Sequence, residues 1–312
     1  MLRATCSSAT CWQQIRGCKE ISDSYFLITA GFILLFAGGE VVVRGAVALA
    51  NRFGASPLVI GVTIVGFGTS LPELMVTLDA ALVGAPGIAV GNVVGSNLAN
   101  MMLVLGVATV ICPIIINAHA IRRDALFMAG VTMVFVLIGF GGSIDAVGGG
   151  TMVALLLVYV GTSLWHDMKT ESGAAELYRD EAKEFTGLPE RLWLMLVWVM
   201  GGFAAVLYGA ELLVLGATEL AKSHNISDEV IGLTLVAIGT SLPELTVSIV
   251  AAYRGHSDVC IGNVLGSNVF NLFGILGVTA IITPVPFANK IITLDLWVLL
   301  GVTFLLVIVL LT

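Results

Sequence analysis

Charge is what this sequence has least of. Only 11% of its 312 residues are Asp, Glu, Lys or Arg, against about 25% in an ordinary soluble domain. No Lys- or Arg-rich run occurs, so the electrostatic footprint of a nucleic-acid-binding protein is missing. The formal net charge of −7 comes largely from one polar stretch and says little about partners. Sulfur and imidazole are also scarce, with five cysteines and four histidines. Cys6, Cys11 and Cys18 lie in an N-terminal tail without metal-ligand spacing. Cys112 and Cys260 fall in or beside apolar runs, where a thiol behaves as a small hydrophobe. No secretory context supports a disulfide framework. The tail, residues 1–23, lacks the apolar h-region of a signal peptide and reads as an irregular leader without chemistry. There is no Ser/His pair, paired catalytic aspartates or phosphate-binding motif, so an enzyme is not expected, nor any cofactor.

Apolar residues are abundant instead, at 58%, with a mean hydropathy of +1.02. Runs of about 20 apolar residues, the length that spans a hydrocarbon core about 30 Å thick, recur along the chain. They make an all-α, polytopic membrane protein the expected fold class, with the lipid bilayer as partner. Nine segments are readable: 24–50, 57–84, 88–112, 122–141, 144–165, 191–222, 228–253, 258–283 and 291–312. Residues 166–190 form the one long hydrophilic stretch between them.

The chain repeats itself. At a constant offset of 171, Pro57–Val107 aligns without a gap on Asp228–Val278, with 26 identities in 51 positions. The likeness extends back to "GGEVVVRGAVALA" from Gly38 and "GAELLVLGATELA" from Gly209. Five spans separate equivalent segments, and an odd number reverses their direction in the bilayer, so the repeats are inverted. The expected organisation is a leader (1–23), a first repeat (24–165), a loop (166–190) and a second repeat (191–312). Arginines and lysines concentrate in one set of loops and helix ends, including Arg44, Arg122, Arg123 and Arg254. The positive-inside rule then puts the N-terminus outside and the 166–190 loop in the cytoplasm. A complete second repeat would need a tenth segment ending near position 336. The chain stops at Thr312, so the second half lacks its tenth helix or the sequence is truncated.

Two motifs recur in register. "GTSLPEL" runs from Gly68 and again from Gly239, each copy setting a glutamate, Glu73 or Glu244, inside an apolar run. An ionised carboxylate at membrane depth costs several kcal/mol unless paired, hydrated or bound to a cation. Two of them match the charge of one divalent cation. Thr69, Ser70, Thr240 and Ser241 surround them with oxygen. Pro72 and Pro243 remove an amide donor and, with nearby glycines, predict a broken helix whose carbonyls turn inward. Irregular backbone at that depth is tolerated only where it lines a cavity or is buried in protein. "GNVVGSNLAN" and "GNVLGSNVFN" follow, with Ser96 and Asn100, or Ser267 and Asn271, four residues apart and on one helical face. No histidine lies in a motif, and an oxygen-rich set without sulfur suits hard ions such as Ca2+ or Na+. Broken helices at matching positions of inverted halves point to a transporter site. Of the other charges, Glu40 matches Glu211, and Arg44 stands four residues from Glu40. Structural pairing and an access role both remain open there. Asp79 faces Val250 in the alignment and reads as pathway-lining or structural.

These duplicated, inverted motifs resemble the alpha repeats of the cation/calcium antiporter superfamily, closest to its prokaryotic sodium/calcium exchanger branch. The resemblance covers nearly the whole chain after the leader. It implies two inverted five-helix halves, ten helices in all, working by alternating access in the plasma membrane of a prokaryote. It implies Glu73 and Glu244 as principal Ca2+ ligands, helped by the main-chain carbonyls of Thr69 and Thr240. Ser70, Ser96, Ser241 and Ser267 would complete flanking Na+ sites, near the carbonyls of Gly66 and Ala237. Asn100 and Asn271 fall where the family has a polar or acidic site residue, and with asparagine at both, dependence on K+ is not expected. The function implied is exchange of Na+ for Ca2+. The alternatives are H+/Ca2+ or other divalent exchange, in which the glutamates carry protons, and a transport-inactive ion-binding protein. The sequence sets no oligomeric state.

Overall fold

The computed structural model describes residues 8–114, 118–169, 191–224, 226, 237–289 and 291–312. Helix α1 (Ser8–Phe53) is followed by a bent pair, α2 (Pro57–Thr69) and α3 (Leu71–Leu82). Then come α4 (Pro86–Ile111), α5 (Ala118–Phe140) and α6 (Ala146–Lys169). The second half holds α7 (Leu192–Ser223), a second broken pair, α8 (Ala237–Thr240) and α9 (Leu242–Tyr253), then α10 (Ser257–Ile282) and α11 (Ile291–Leu311). Among the described residues seven helices are long and apolar enough to cross a membrane, and the α2–α3 pair makes an eighth span. The protein is a multi-pass integral membrane protein of two inverted repeats. The expected spans hold to within a few residues, with two differences. The leader is not irregular throughout: its backbone is helical from Ser8 and runs on into the first span. The first part of the segment expected at 228–253 lies outside the described residues.

Both predicted breaks fall at a serine. Ser70 (φ −85°, ψ 12°) separates α2 from α3 with a 46° bend. Its counterpart Ser241 has nearly the same backbone (φ −88°, ψ 1°). Pro72 and Pro243 then occupy the first turn of the following helix, where a missing N–H costs nothing. Gly84 and Gly255 close the turns after α3 and α9 at φ 79° and 78°, a left-handed conformation open to glycine.

Glycines at seven-residue spacing join the halves. Gly31 and Gly38 of α1 meet the backbone of α7 at Gly209 and Gly202, and Gly216 meets Ser24. The reversed order makes the pair antiparallel. Close approach through small residues is how membrane helices gain packing without a hydrophobic drive between them. Helix α10 packs on α2 and α9, its C-terminal part packs on α6, and α11 packs on α5. A short antiparallel bridge ties the two ends of the halves on one face, Ser143 opposite Pro286 and Ile144 opposite Val285. Inside α4 and α10 the helix widens at matching places, Asn100–Val104 and Phe270–Ile275, into π-type turns that the sequence reading had not foreseen.

Candidate cation site

The fold carries the two helix breaks to the centre of the molecule. Each helix that ends there leaves its last carbonyls without intrahelical partners, and each helix that starts there presents free N–H groups. Glu73 and Glu244 stand in the first turns of α3 and α9, where the positive end of the helix dipole favours a carboxylate. The carbonyl ends of α2 and α8 carry the opposite dipole end, which favours a cation.

Both glutamates are fully buried, as are Thr69, Ser70, Asn100, Ser267 and Asn271, while Ser96 and Ser241 are 5% and 2% exposed. Thr240 is half-buried and Gly66 is buried. Ala237 supplies the first backbone unit of α8, and its side-chain surroundings lie outside the described residues. The repeats interlock. Ser70 Oγ of the first half donates to Glu244 Oε1 of the second at 3.0 Å. Glu73 Oε1 accepts from Ser96 Oγ at 3.5 Å, and the Glu73 carboxyl group also interacts with Thr240 from the second half. Ser267 Oγ donates to the Gly66 carbonyl at 3.3 Å, and Thr69 Oγ1 sits 3.4 Å from Ser267 Oγ. Of the positions singled out from the sequence, Gly66, Thr69, Ser70, Glu73, Ser96, Thr240, Glu244 and Ser267 are thus linked to one another at the breaks.

The remaining polar atoms matter most. Glu73 Oε2, Glu244 Oε2, both side-chain polar atoms of Asn100, Ser241 Oγ and Asn271 Oδ1 are buried without a hydrogen-bond partner among the described residues. Leaving such groups unsatisfied costs about 1–3 kcal/mol each and more for charges. Among the described residues no cluster of three or more His, Cys, Asp or Glu exists, so the ligand set is two carboxylates among neutral oxygens. That donor chemistry fits a hard cation.

Four asparagines escaped the sequence reading. Asn92 Nδ2 donates to the Glu73 carbonyl (3.3 Å) and to Thr77 Oγ1 (2.9 Å). Asn263, its counterpart, makes the same pair of bonds to the Glu244 carbonyl (3.2 Å) and Ser248 Oγ (2.9 Å). Each holds the helix that bears a glutamate. Asn97 links the crossing of α4 and α10, donating to the Asn268 carbonyl at 3.1 Å and accepting from Asn271 at 3.0 Å. The signal was present for two of them: Asn92, Ser96 and Asn100 repeat every four residues along one helical face, as do Asn263, Ser267 and Asn271.

Two broken helices in inverted repeats, with carboxylates from both halves facing each other at the breaks, define a secondary transporter for small cations. A sequence profile of the sodium/calcium exchanger protein family matches residues 24–165 and 194–312, leaving out only the leader and the central polar stretch. The chain belongs to that family. It is 38% identical to an uncharacterised membrane protein of Methanocaldococcus jannaschii over 85% of this chain and 83% of that one. To the sodium/calcium exchanger MaX1 of Methanosarcina acetivorans it is 30% identical, over 92% and 91%. A solved structure of the sodium-calcium exchanger NCX_Mj, soaked with zero Na+ and Ca2+, superposes with a TM-score of 0.79 at 33% identity, covering 92% of this chain and 90% of that one.

Proposed function

We propose that the protein exchanges Na+ for Ca2+ across the membrane by alternating access to one shared site, with Glu73 and Glu244 as its anionic ligands. The observation that carries this reading is the pair of fully buried glutamates from opposite repeats, each with one oxygen that no donor among the described residues satisfies. A charge in that setting is stable only with a counter-charge, and the cargo ion supplies it. The carbonyls of Thr69, Thr240, Gly66 and Ala237, the hydroxyls of Ser70, Ser96, Ser241 and Ser267, and the amides of Asn100 and Asn271 supply neutral oxygen around the two carboxylates.

Coupling follows from competition for these oxygens. Two carboxylates neutralise one Ca2+ or are satisfied by Na+ ions spread over the same ligands, but not both at once. Each loaded state cancels the buried charge and lets the helices rearrange. The empty state leaves two charges desolvated, which slows its crossing and prevents uncoupled leak. Proton coupling is the weaker reading, because the GNVVGSN and GNVLGSN segments that flank the glutamates carry no second acidic cluster. The two halves act as repeats 24–165 and 191–312, with the loop at 166–190 in the cytoplasm.

The test is Ca2+ uptake into proteoliposomes loaded with Na+ and diluted into Na+-free buffer, beside a set carrying only a proton gradient. Uptake driven by Na+ alone is expected. Uptake driven by protons alone would replace the reading with H+/Ca2+ exchange. Ca2+ binding without uptake under either gradient would make the protein a transport-inactive ion binder.

A further inference from the structure

The glutamates Glu40 and Glu211 occupy the same place in the two repeats, yet their surroundings are opposite. Glu40 is held twice. Its Oε1 lies 2.5 Å from Arg44 Nη2 and 2.7 Å from Arg254 Nη2, and its Oε2 accepts from Arg254 Nε at 2.8 Å. At Glu211 the positions equivalent to Arg44 and Arg254 are Leu215 and Val83, both apolar and both exposed. Glu211 is exposed and has no ion pair or hydrogen bond among the described residues. It lines a cavity of about 360 Å³ together with Leu71, Pro72, Met75, Gly239 and Thr240. Thr240, which interacts with Glu73, thus lines both this cavity and the cation site.

A third difference lies on α3, beyond the cavity-lining Met75. Asp79 stands one turn beyond Met75 on α3 and is exposed. Its equivalent, Val250, is 7% exposed and lies against Gly39 of α1. On the Glu40 side one acidic group is therefore held by two partly exposed arginines. On the Glu211 side, among the described residues, the equivalent positions hold two acidic groups and no basic one. Ionisable side chains in membrane helices face water-filled cavities or protein, since lipid exposure is costly. A groove of one charge sign with low-dielectric walls focuses its field and raises the local concentration of counter-ions.

We infer that Glu211, with Asp79, forms a cation-recruiting vestibule that draws Ca2+ and Na+ into the groove leading to Thr240, and that Leu215 and Val83 keep Glu211 available by withholding the arginines that occupy Glu40. The inference rests on the exchange reading above. Neither residue is a ligand of the buried site. They set how often an ion arrives, and only from the face bearing the 83–85 turn.

The experiment measures initial Na+-driven Ca2+ uptake against external Ca2+ in right-side-out and inverted membrane vesicles, at low ionic strength and again with added choline chloride. Glu211→Gln is expected to raise KM for Ca2+ about three- to tenfold at low ionic strength with Vmax unchanged, in one vesicle orientation only. The shift shrinks as salt shortens the screening length to about 10 Å at 0.1 M. Asp79→Asn gives a smaller shift of the same kind. Leu215→Arg, which rebuilds the Glu40–Arg44 pair at the equivalent place, gives a shift at least as large as Glu211→Gln. A wild-type KM in Glu211→Gln at low salt overturns the inference, as does an equal shift in both orientations. A lower Vmax with a lower unfolding temperature would show a structural role and overturn it too. Failure of the exchange reading is separate, since wild-type vesicles would then show no Na+-driven uptake.

Discussion

Helices α4 and α10 carry the same motif in the two repeats, but they stand in different surroundings. In α10 83% of the apolar window is buried, and in α4 only 44%. Gly262 and Gly266 press on the backbone of α2 at Leu58–Val62, leaving no room for a side chain. Their equivalents Gly91 and Gly95 are exposed, with nothing among the described residues within 4 Å of an added carbon. On the α9 side, Gly39 packs on Thr246 and Val250, and Glu40 is clasped by two arginines. On the α3 side, Met75 is 68% exposed and the groove past Glu211 stays open. Among the described residues, one sequence pattern is thus tightly packed in α10 and more exposed in α4, while residues 229–233, equivalent to the Leu58–Val62 backbone, lie outside the described residues.

The comparison can be broken first at the glutamates. If both halves share one ion, Glu73→Gln and Glu244→Gln should each reduce Na+-driven Ca2+ uptake by at least about 100-fold, since each removes a whole ligand charge. Near-normal uptake in either variant would separate the two copies and sink the shared site. The glycines come next. Gly266→Ala drives a methyl into the Val62 backbone and should cost about 3 kcal/mol, seen as a lower thermal midpoint in detergent. Gly95→Ala should keep the midpoint but slow exchange, because the other state must close on that face. Equal thermal losses in both would show that the two glycines are packed alike.

Finer tests use the supporting polar groups. Asn263 is fully buried, whereas Asn92 is half-buried. Although they make equivalent bonds, Asn263→Ala should cost about 2 kcal/mol and Asn92→Ala about 1 kcal/mol, because water can replace only the more accessible amide's bonds. Chemical or thermal unfolding of the two variants side by side decides the order. The smallest effect belongs to Arg254→Ala. Its ion pair with Glu40 is partly exposed, with side chains 43% and 23% accessible, so the loss should be about 0.5 kcal/mol. That corresponds to about a twofold faster reaction of a Thr246→Cys thiol with an impermeant reagent on the closed face. An unchanged labelling rate would mean that the pair does not help seal that face.

Much of this molecule was readable from its letters. Long apolar runs fixed the spans because a bilayer admits few other solutions. The offset of 171 disclosed two inverted copies, and proline beside glycine located both helix breaks. Ten of the twelve candidate ligands came from one argument, that a buried carboxylate needs a cation and a cation needs oxygen, while the carbonyls of Gly66 and Ala237 were implied by the family resemblance. Asn92 and Asn263 were within reach of the same helical-face reasoning applied one turn earlier. Other features have no linear signature. The π-type turns at Asn100 and Phe270 begin within a turn of the α4–α10 crossing at Asn97 and Asn268, and no local pattern announces them. The bond from Ser70 to Glu244 joins residues 174 positions apart, brought together only when the repeats interlock. Arg254 reaches Glu40 across 214 positions for the same reason. Above all, two similar repeats give no hint of which one packs more tightly. Local propensity is the same in both copies, so packing between helices, which acts on the assembled pair, decides it.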